Sequence, residues 1–170
     1  MMKLLEQSAE EVKQTLGYKL NNGFARLKDE DEACTKPKWA YFFARYVKGA
    51  DIEKCQEAAC KDPYCAYEFA LWIKDANIEK CEEAACKYPK LAYYFVLYIE
   101  GSNIEKCQEA ACKDPWCAYE FARDVKGADI KRCEEAACKD LRWGYRFAMD
   151  IKGANIENCR KACKGSKYEF

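Results

Sequence analysis

Sulfur is the first place to look for chemistry in this chain, which carries 13 cysteines and no histidine. The missing histidine removes the commonest general base and the commonest metal ligand. Most of the cysteines fall in spaced pairs: Cys55 with Cys60, Cys81 with Cys86, Cys107 with Cys112 and Cys133 with Cys138, each C-x4-C. Cys159 with Cys163 is one residue shorter. Cys34 stands alone, and Cys65 and Cys117 each follow an Asp-Pro step.

Such thiols could form disulfides, hold metal or pack. On a helix, residues five apart are separated by about 7.5 Å of rise and about 140° of rotation. A disulfide needs Cα atoms within about 7 Å and converging Cβ atoms, so a bridge within a C-x4-C pair is disfavoured. Equivalent cysteines of neighbouring helices should lie about 8–10 Å apart, the ordinary interaxial spacing. Cys60 with Cys65 and Cys112 with Cys117 flank a turn and are the candidate bridges. Structural zinc wants four ligands converging on one point, whereas these thiols are strung along the chain. Cu(I) tolerates other arrangements, so a cysteine-based Cu(I) or zinc binding or storage protein stands as the alternative function. The favoured reading is packing by a small apolar side chain, with no metal ligand and no cofactor assigned.

Enzyme signatures are absent: no glycine-rich phosphate loop, no nucleophile elbow, no H-E-x-x-H. Glu82-Glu83 is a carboxylate pair, but its equivalents recur in register and read as a solvated helix face. An active site is normally unique in a chain, so repetition points to a protein that is not an enzyme.

The cysteines are positioned by a repeat. The segment KDPYCAYEFALWIKDANIEKCEEAAC, residues 61–86, recurs with a 26-residue period at 35–60, 87–112, 113–138 and, shortened, 139–163. A fixed period in this range marks a stacked array. Each copy reads as two short helices. The first opens at Asp62-Pro63, an N-cap followed by proline at N1. It runs to about Lys74, before the glycine stop found at Gly49, Gly101, Gly127 and Gly153. Asp75 replaces that glycine in the second copy, where a costlier turn is expected. The second helix opens at Asn77, or Asp51, Asn103, Asp129 and Asn155, and ends near Cys86. Neither helix exceeds about 13 residues, so each is marginal alone and must be held by its neighbours.

The fold expected is therefore all-α: an α-solenoid of about five to six stacked two-helix repeats in one domain, 1–170. Residues 1–34 supply an N-terminal capping helix (3–16) and a degenerate repeat with Leu20, Phe24 and Leu27 facing inward. Residues 164–170 form a tail. Positions that barely change between copies give the core: Ala66, Tyr67, Phe69, Ala70 and Ile73 on the first helix, and Ile78, Cys81, Ala84, Ala85 and Cys86 on the second. Phe43, Phe69, Phe95, Phe121 and Phe147 should be buried equivalents.

Lys+Arg and Asp+Glu balance at 29 each, which argues against a general nucleic-acid binder. Basic side chains such as Lys38, Arg45, Arg142 and Arg146 keep nucleic acid as a second alternative. The first residues turn polar too soon for a signal-peptide core, and no apolar run approaches membrane-spanning length. The expected setting is the cytoplasm (the host cytoplasm for a viral gene), with thiols mostly reduced.

The positions that do vary lie opposite the constant face of the first helix. Phe42, Arg45, Tyr46, Glu68, Leu71, Trp72, Tyr94, Leu97 and Tyr98 place aromatic and apolar groups where a solvated helix should be polar. An apolar strip of this kind marks a contact surface, and Tyr, Trp and Arg are frequent hot-spot residues. These nine are the candidate partner-binding residues, the partner being another protein, with a second copy of the chain as the alternative occupant.

The unit D-P-x-x-A-Y-x-F-A-x-x-V/I-K-G resembles short tandem repeats of bacterial and phage proteins. Over residues 35–163 the chain is more generally similar to HEAT-type and tetratricopeptide-type α-solenoids. The resemblance implies a protein-binding scaffold, such as a phage or bacterial docking or inhibitor protein. The 26-residue period is shorter than theirs, so none of their binding residues carries over.

Overall fold

A computed structural model describes residues 27–170. Every regular element among them is an α-helix. After α1 (Leu27–Ala33) come five helix pairs: α2 (Pro37–Tyr46) with α3 (Ile52–Ala59), α4 (Pro63–Trp72) with α5 (Ile78–Ala85), α6 (Pro89–Tyr98) with α7 (Ile104–Ala111), α8 (Pro115–Asp124) with α9 (Ile130–Ala137), and α10 (Leu141–Asp150) with α11 (Ile156–Cys163). The helix expected over 3–16, and Leu20 and Phe24, lie outside the described residues. No helix among the described residues is long and apolar enough to cross a membrane.

The chain divides into two compact units, Met1–Ala84 and Ala85–Phe170, the division falling inside α5. Within the first unit, α2 packs on α3 and on α4. Within the second, α6 packs on α7, α8 on α9 and α10 on α11, and each first helix also packs on the next. The architecture is thus an all-α helix-pair repeat, stacked within each unit as in an α-solenoid.

The short helices are set by their ends. The Asp62 carboxylate accepts from the Cys65 N–H at 2.9 Å, and Asp114 does the same for Cys117. Both precede a proline whose missing N–H costs nothing at N1. Lys36 and Tyr88 offer no such cap at their helix starts. The second helices are capped in the same way, by Asp51, Asn77, Asn103, Asp129 and Asn155.

The helix stop differs from expectation. The first helices end about two residues early, at Tyr46 and Trp72, and the next residue, Val47 or Ile73, is extended. Gly49, at φ +85°, is then the third residue of a turn closed by Ala50 N–H to Val47 C=O at 3.3 Å. A positive φ at the third residue of a turn is the type II form, which favours glycine there. At the equivalent turn Ala76 N–H still reaches Ile73 C=O at 3.2 Å, yet Asp75 has no positive φ. Asp75 therefore keeps the turn without entering the left-handed region.

The core follows most of the constant positions, but not that of Ile78: Ile78 is half-buried and its equivalents Ile104 and Ile156 are exposed, because they sit in the first turn of the second helix beside its solvent-facing glutamate. Phe69, Phe95, Phe121 and Phe147 are fully buried and Phe43 nearly so. Cys55, Cys81, Cys107, Cys133 and Cys159 are likewise fully enclosed, alongside Ala59, Ala85, Ala111 and Ala137. At the C-terminal end, Tyr168 and Phe170 of the expected tail set their rings 6.1 and 5.3 Å from Tyr145, covering the last pair.

One reading is overturned. The position of Glu82 is not solvated: Gln56, Glu82, Gln108 and Glu134 are all buried, at 3–4% exposure, whereas Glu83 is exposed. The reason lies in hydrogen bonding. The Gln56 amide grips the N-cap residue of the next pair at both ends, accepting from Asn77 N–H at 2.9 Å and donating to Asn77 C=O at 2.6 Å. Gln108 grips Asp129 identically, at 3.0 and 2.7 Å. Glu134 accepts from Asn155 N–H at 2.5 Å, and Glu30 from Asp51 N–H at 2.7 Å. A buried polar group is retained when it is satisfied, and here it supplies a backbone clip between repeats.

These clips fix the register. Each spans 21 residues, not 26. Successive second helices are therefore staggered by five residues, about 7.5 Å at 1.5 Å per residue. The first helices, running the other way, show the opposite offset: Tyr93 O–H donates to Asp124 at 2.5 Å and Tyr119 O–H to Asp150 at 2.6 Å, both 31 residues on.

Candidate functional site

Two groups of side chains, one in each unit, hold the candidate partner-binding residues. In the first unit, Arg45 from the last turn of α2 reaches over α4. Its guanidinium lies 4.4 Å from the centre of the Trp72 ring and 5.5 Å from that of Tyr46. It also donates to the Tyr41 hydroxyl. Trp72 Nε1–H donates to Glu68 Oε2 at 2.9 Å, and Tyr41 O–H approaches the same oxygen at 3.5 Å. Burial, opposed by the bond from Arg45, pushes the Tyr41 hydroxyl well above its ordinary value, so it is a donor at neutral pH. Trp72 is nevertheless 53% exposed. The result is an aromatic platform with a fixed cation on one side and a carboxylate on the other. Arg45, Tyr46, Glu68 and Leu71 are half-buried around it.

Phe42 is placed elsewhere. It is buried, with its ring stacked 6.1 Å from Tyr46, and serves packing. It lies mid-helix, and its ring packs against that of Tyr41, 4.9 Å away, as well as that of Tyr46, which takes it out of solvent.

In the second unit, Tyr94 and Tyr98 sit one turn apart on α6 with ring centres 6.2 Å apart, and Tyr98 is 61% exposed. Leu97 is half-buried beside them. The Lys90 ammonium lies 5.8 Å from Tyr94 and 5.2 Å from Trp116. Behind this patch Arg123 pairs with Glu120 and, at 2.8 Å, with Asp124. That bond holds the Asp124 carboxyl below the usual range, with the Tyr93 hydroxyl adding to it. On α10 the exposed Arg142 stacks on Trp143 at 4.2 Å, and Met149 is 52% exposed.

The cysteines form a pattern that reasoning from in-register copies missed. All thirteen are thiols. Ten of them meet in five pairs, each 21 residues apart: Cys34 with Cys55, Cys60 with Cys81, Cys86 with Cys107 and Cys112 with Cys133 at 3.8 Å between sulfurs, and Cys138 with Cys159 at 3.4 Å. The C-x4-C spacing of five equals the five-residue stagger, and five plus 21 restores the period of 26. Each repeat thus offers one thiol backward and one forward. In every pair the forward-facing thiol is half-buried and its partner is fully buried. The candidate turn bridges are not what assembles: Cys60 and Cys112 face Cys81 and Cys133, while Cys65 and Cys117 follow the Asp62 and Asp114 caps. The signal was in the sequence, in the match between intra-pair spacing and helix stagger, but the stagger was not readable. No group of three or more His, Cys, Asp and Glu side chains placed to hold a metal occurs among the described residues.

The chain matches no protein-family profile, no curated protein and no solved structure.

Proposed function

We propose that the chain is a non-enzymatic protein-binding scaffold, of the kind used by a phage or bacterial protein to dock on, and inhibit, a larger assembly. The observation that carries this reading is Trp72. Half its surface is open to solvent although two neighbours hold it in place, Arg45 above the ring and Glu68 at its indole N–H. A large ring held rigid and exposed loses little freedom on binding and offers the kind of anchor that dominates interface energy. Tyr98 plays the equivalent part in the second unit, with Tyr94 at its flank. The helix pairs beneath supply a constant frame, and the residues that differ between copies supply recognition.

The test is affinity capture with two baits, the native chain and a Trp72→Glu, Tyr98→Glu variant of equal helicity. A protein retained by the first and lost from the second supports the reading. Equal retention by both overturns it. Sedimentation of the native chain alone checks the alternative occupant, since a dimer that the variant cannot form would assign these faces to a second copy.

A further inference from the structure

The five thiol pairs are more than packing. We propose that they are disulfide-forming sites, and that a small-molecule disulfide oxidises them into five staples, Cys34–Cys55, Cys60–Cys81, Cys86–Cys107, Cys112–Cys133 and Cys138–Cys159, each joining one repeat to the next. This inference does not depend on the partner-binding reading.

Geometry carries the proposal. A disulfide holds its sulfurs about 2.05 Å apart. The pairs already stand at 3.4–3.8 Å, so each closes by less than about 2 Å of side-chain movement, with the helices held in register by the clips at Gln56, Gln108 and Glu134. The five meetings recur at one constant offset, so each repeat presents the same bridgeable pair to the next.

Asymmetry within each pair sets the order of events. The half-buried thiol is the one a small disulfide can reach: Cys34, Cys60, Cys86, Cys112 or Cys138. Cys112 also has its thiol lowered, through the hydrogen bond shared with Cys133 and the nearby positive charge of Arg132 and Lys139. As thiolate, it attacks one sulfur of oxidised glutathione. One glutathione thiolate leaves, and the protein carries a mixed disulfide. The buried partner then gives up its proton and attacks the protein-side sulfur, expelling the second glutathione thiolate. Two protein thiols and one glutathione disulfide become one protein disulfide and two glutathione thiols, which take up the two protons.

Cys65 and Cys117 are not members of these pairs, and Cys163 lies near the Cys138–Cys159 pair without joining it. Cys163 instead donates to Leu141 C=O at 3.4 Å. They should stay reduced.

The sequence makes the test unusually sharp, because trypsin cuts before the first cysteine and after the second of each C-x4-C pair. Native protein is equilibrated with oxidised glutathione, denatured, alkylated and digested without reductant. Because each C-x4-C peptide then carries one end of two different staples, six peptides should remain tied in a single series: 29–38, 55–61, 81–87, 107–113, 133–139 and 153–160. The intact protein should have lost ten hydrogens, and Cys65, Cys117 and Cys163 should appear alkylated on separate peptides. A Cys81→Ser variant should break the series in two, leaving 29–38 joined to a 55–61 peptide that bears one glutathione. Isolated C-x4-C peptides with an internal bridge, bridges to the Cys65 or Cys117 peptides, or thirteen alkylated thiols after equilibration would each overturn the proposal. So would a Cys81→Ser protein whose Cys60 takes up no glutathione.

Discussion

Replacing Gln56 tests whether the buried clip or the solvated-face reading describes the second helices. The Gln56 side chain makes one bond to Asn77 N–H at 2.9 Å, one to Asn77 C=O at 2.6 Å, and one from its amide to Cys81 Sγ at 3.1 Å. Alanine would leave the N–H and C=O of a helix N-cap residue without these partners. An intramolecular hydrogen bond contributes about 1 kcal/mol net, and a buried group left unsatisfied costs about 1–3 kcal/mol. Gln56→Ala should therefore destabilise by about 2–3 kcal/mol, measured as a fall in the urea midpoint with the slope unchanged. The copies supply a second arm. Glutamate at this position can accept from the backbone N–H, as Glu134 does from Asn155, but cannot donate to the carbonyl. Gln56→Glu should thus destabilise by about 1 kcal/mol, whereas Glu134→Gln should change little, because the bond gained to the Asn155 carbonyl replaces the one that Glu134 Oε1 accepts from the Asn158 amide at 3.3 Å. A Gln56→Ala change within about 0.5 kcal/mol of native, the range of ordinary surface substitutions, would refute the clip. So would a Gln56→Glu protein as stable as native.

Reduced protein should lose stability as pH rises above about 8.5, the ordinary thiol value. Burial pushes Cys55 and Cys159 up, and the bonds to Cys60 and Cys112, with burial, push Cys81 and Cys133 up. Their unfolded counterparts ionise while the folded thiols keep their protons. Stability from these groups is therefore whole below about pH 8.5 and drains above it, by up to about 1.4 kcal/mol per pH unit for each thiol. Thermal melts from pH 7.5 to 9.5 should show the fall in reduced protein and a much flatter profile after oxidation. An unchanged melting temperature in the reduced sample would contradict the burial argument. Among the turns, Gly49→Asp should cost about 1 kcal/mol, because Gly49 sits at φ +85° where a Cβ is strained. Asp75→Gly should not stabilise, since Asp75 needs no positive φ. Chemical denaturation of the two variants checks both signs.

Much of the fold was legible in the 26-residue period. The Asp-Pro and Asn or Asp caps announced where each helix starts, and the constant Phe69 series announced the core. What stayed hidden was the lateral offset between neighbouring helices. Periodicity aligns Cys55 with Cys81 and leaves them a helix diameter apart. The stagger of five residues instead brings Cys60 to Cys81 and Gln56 to Asn77, and it arises from packing that no single copy records. For the same reason Glu82, polar by type and repeated in register, read as solvent-facing when it is enclosed. Of the candidate binding residues picked by variation against the constant face, Trp72 and Tyr98 are exposed. Phe42 failed that test because variation alone does not separate a changed surface from a changed packing neighbour.

Constant residues such as Phe69 fold the chain, and variable residues such as Trp72 and Tyr98 are displayed on it. The most direct measurement is the thermal melt, followed by helical ellipticity, of Trp72→Glu, Tyr98→Glu protein beside Phe69→Ala protein. Phe69 is fully buried, and its truncation should cost about 3–5 kcal/mol, lowering the melting temperature by roughly 6–20 °C. The doubly charged variant should keep native ellipticity and melt within about 2 °C of native, as surface substitutions do. If that variant instead loses its helices while Phe69→Ala keeps them, the exposed aromatics are core and this separation of roles is wrong.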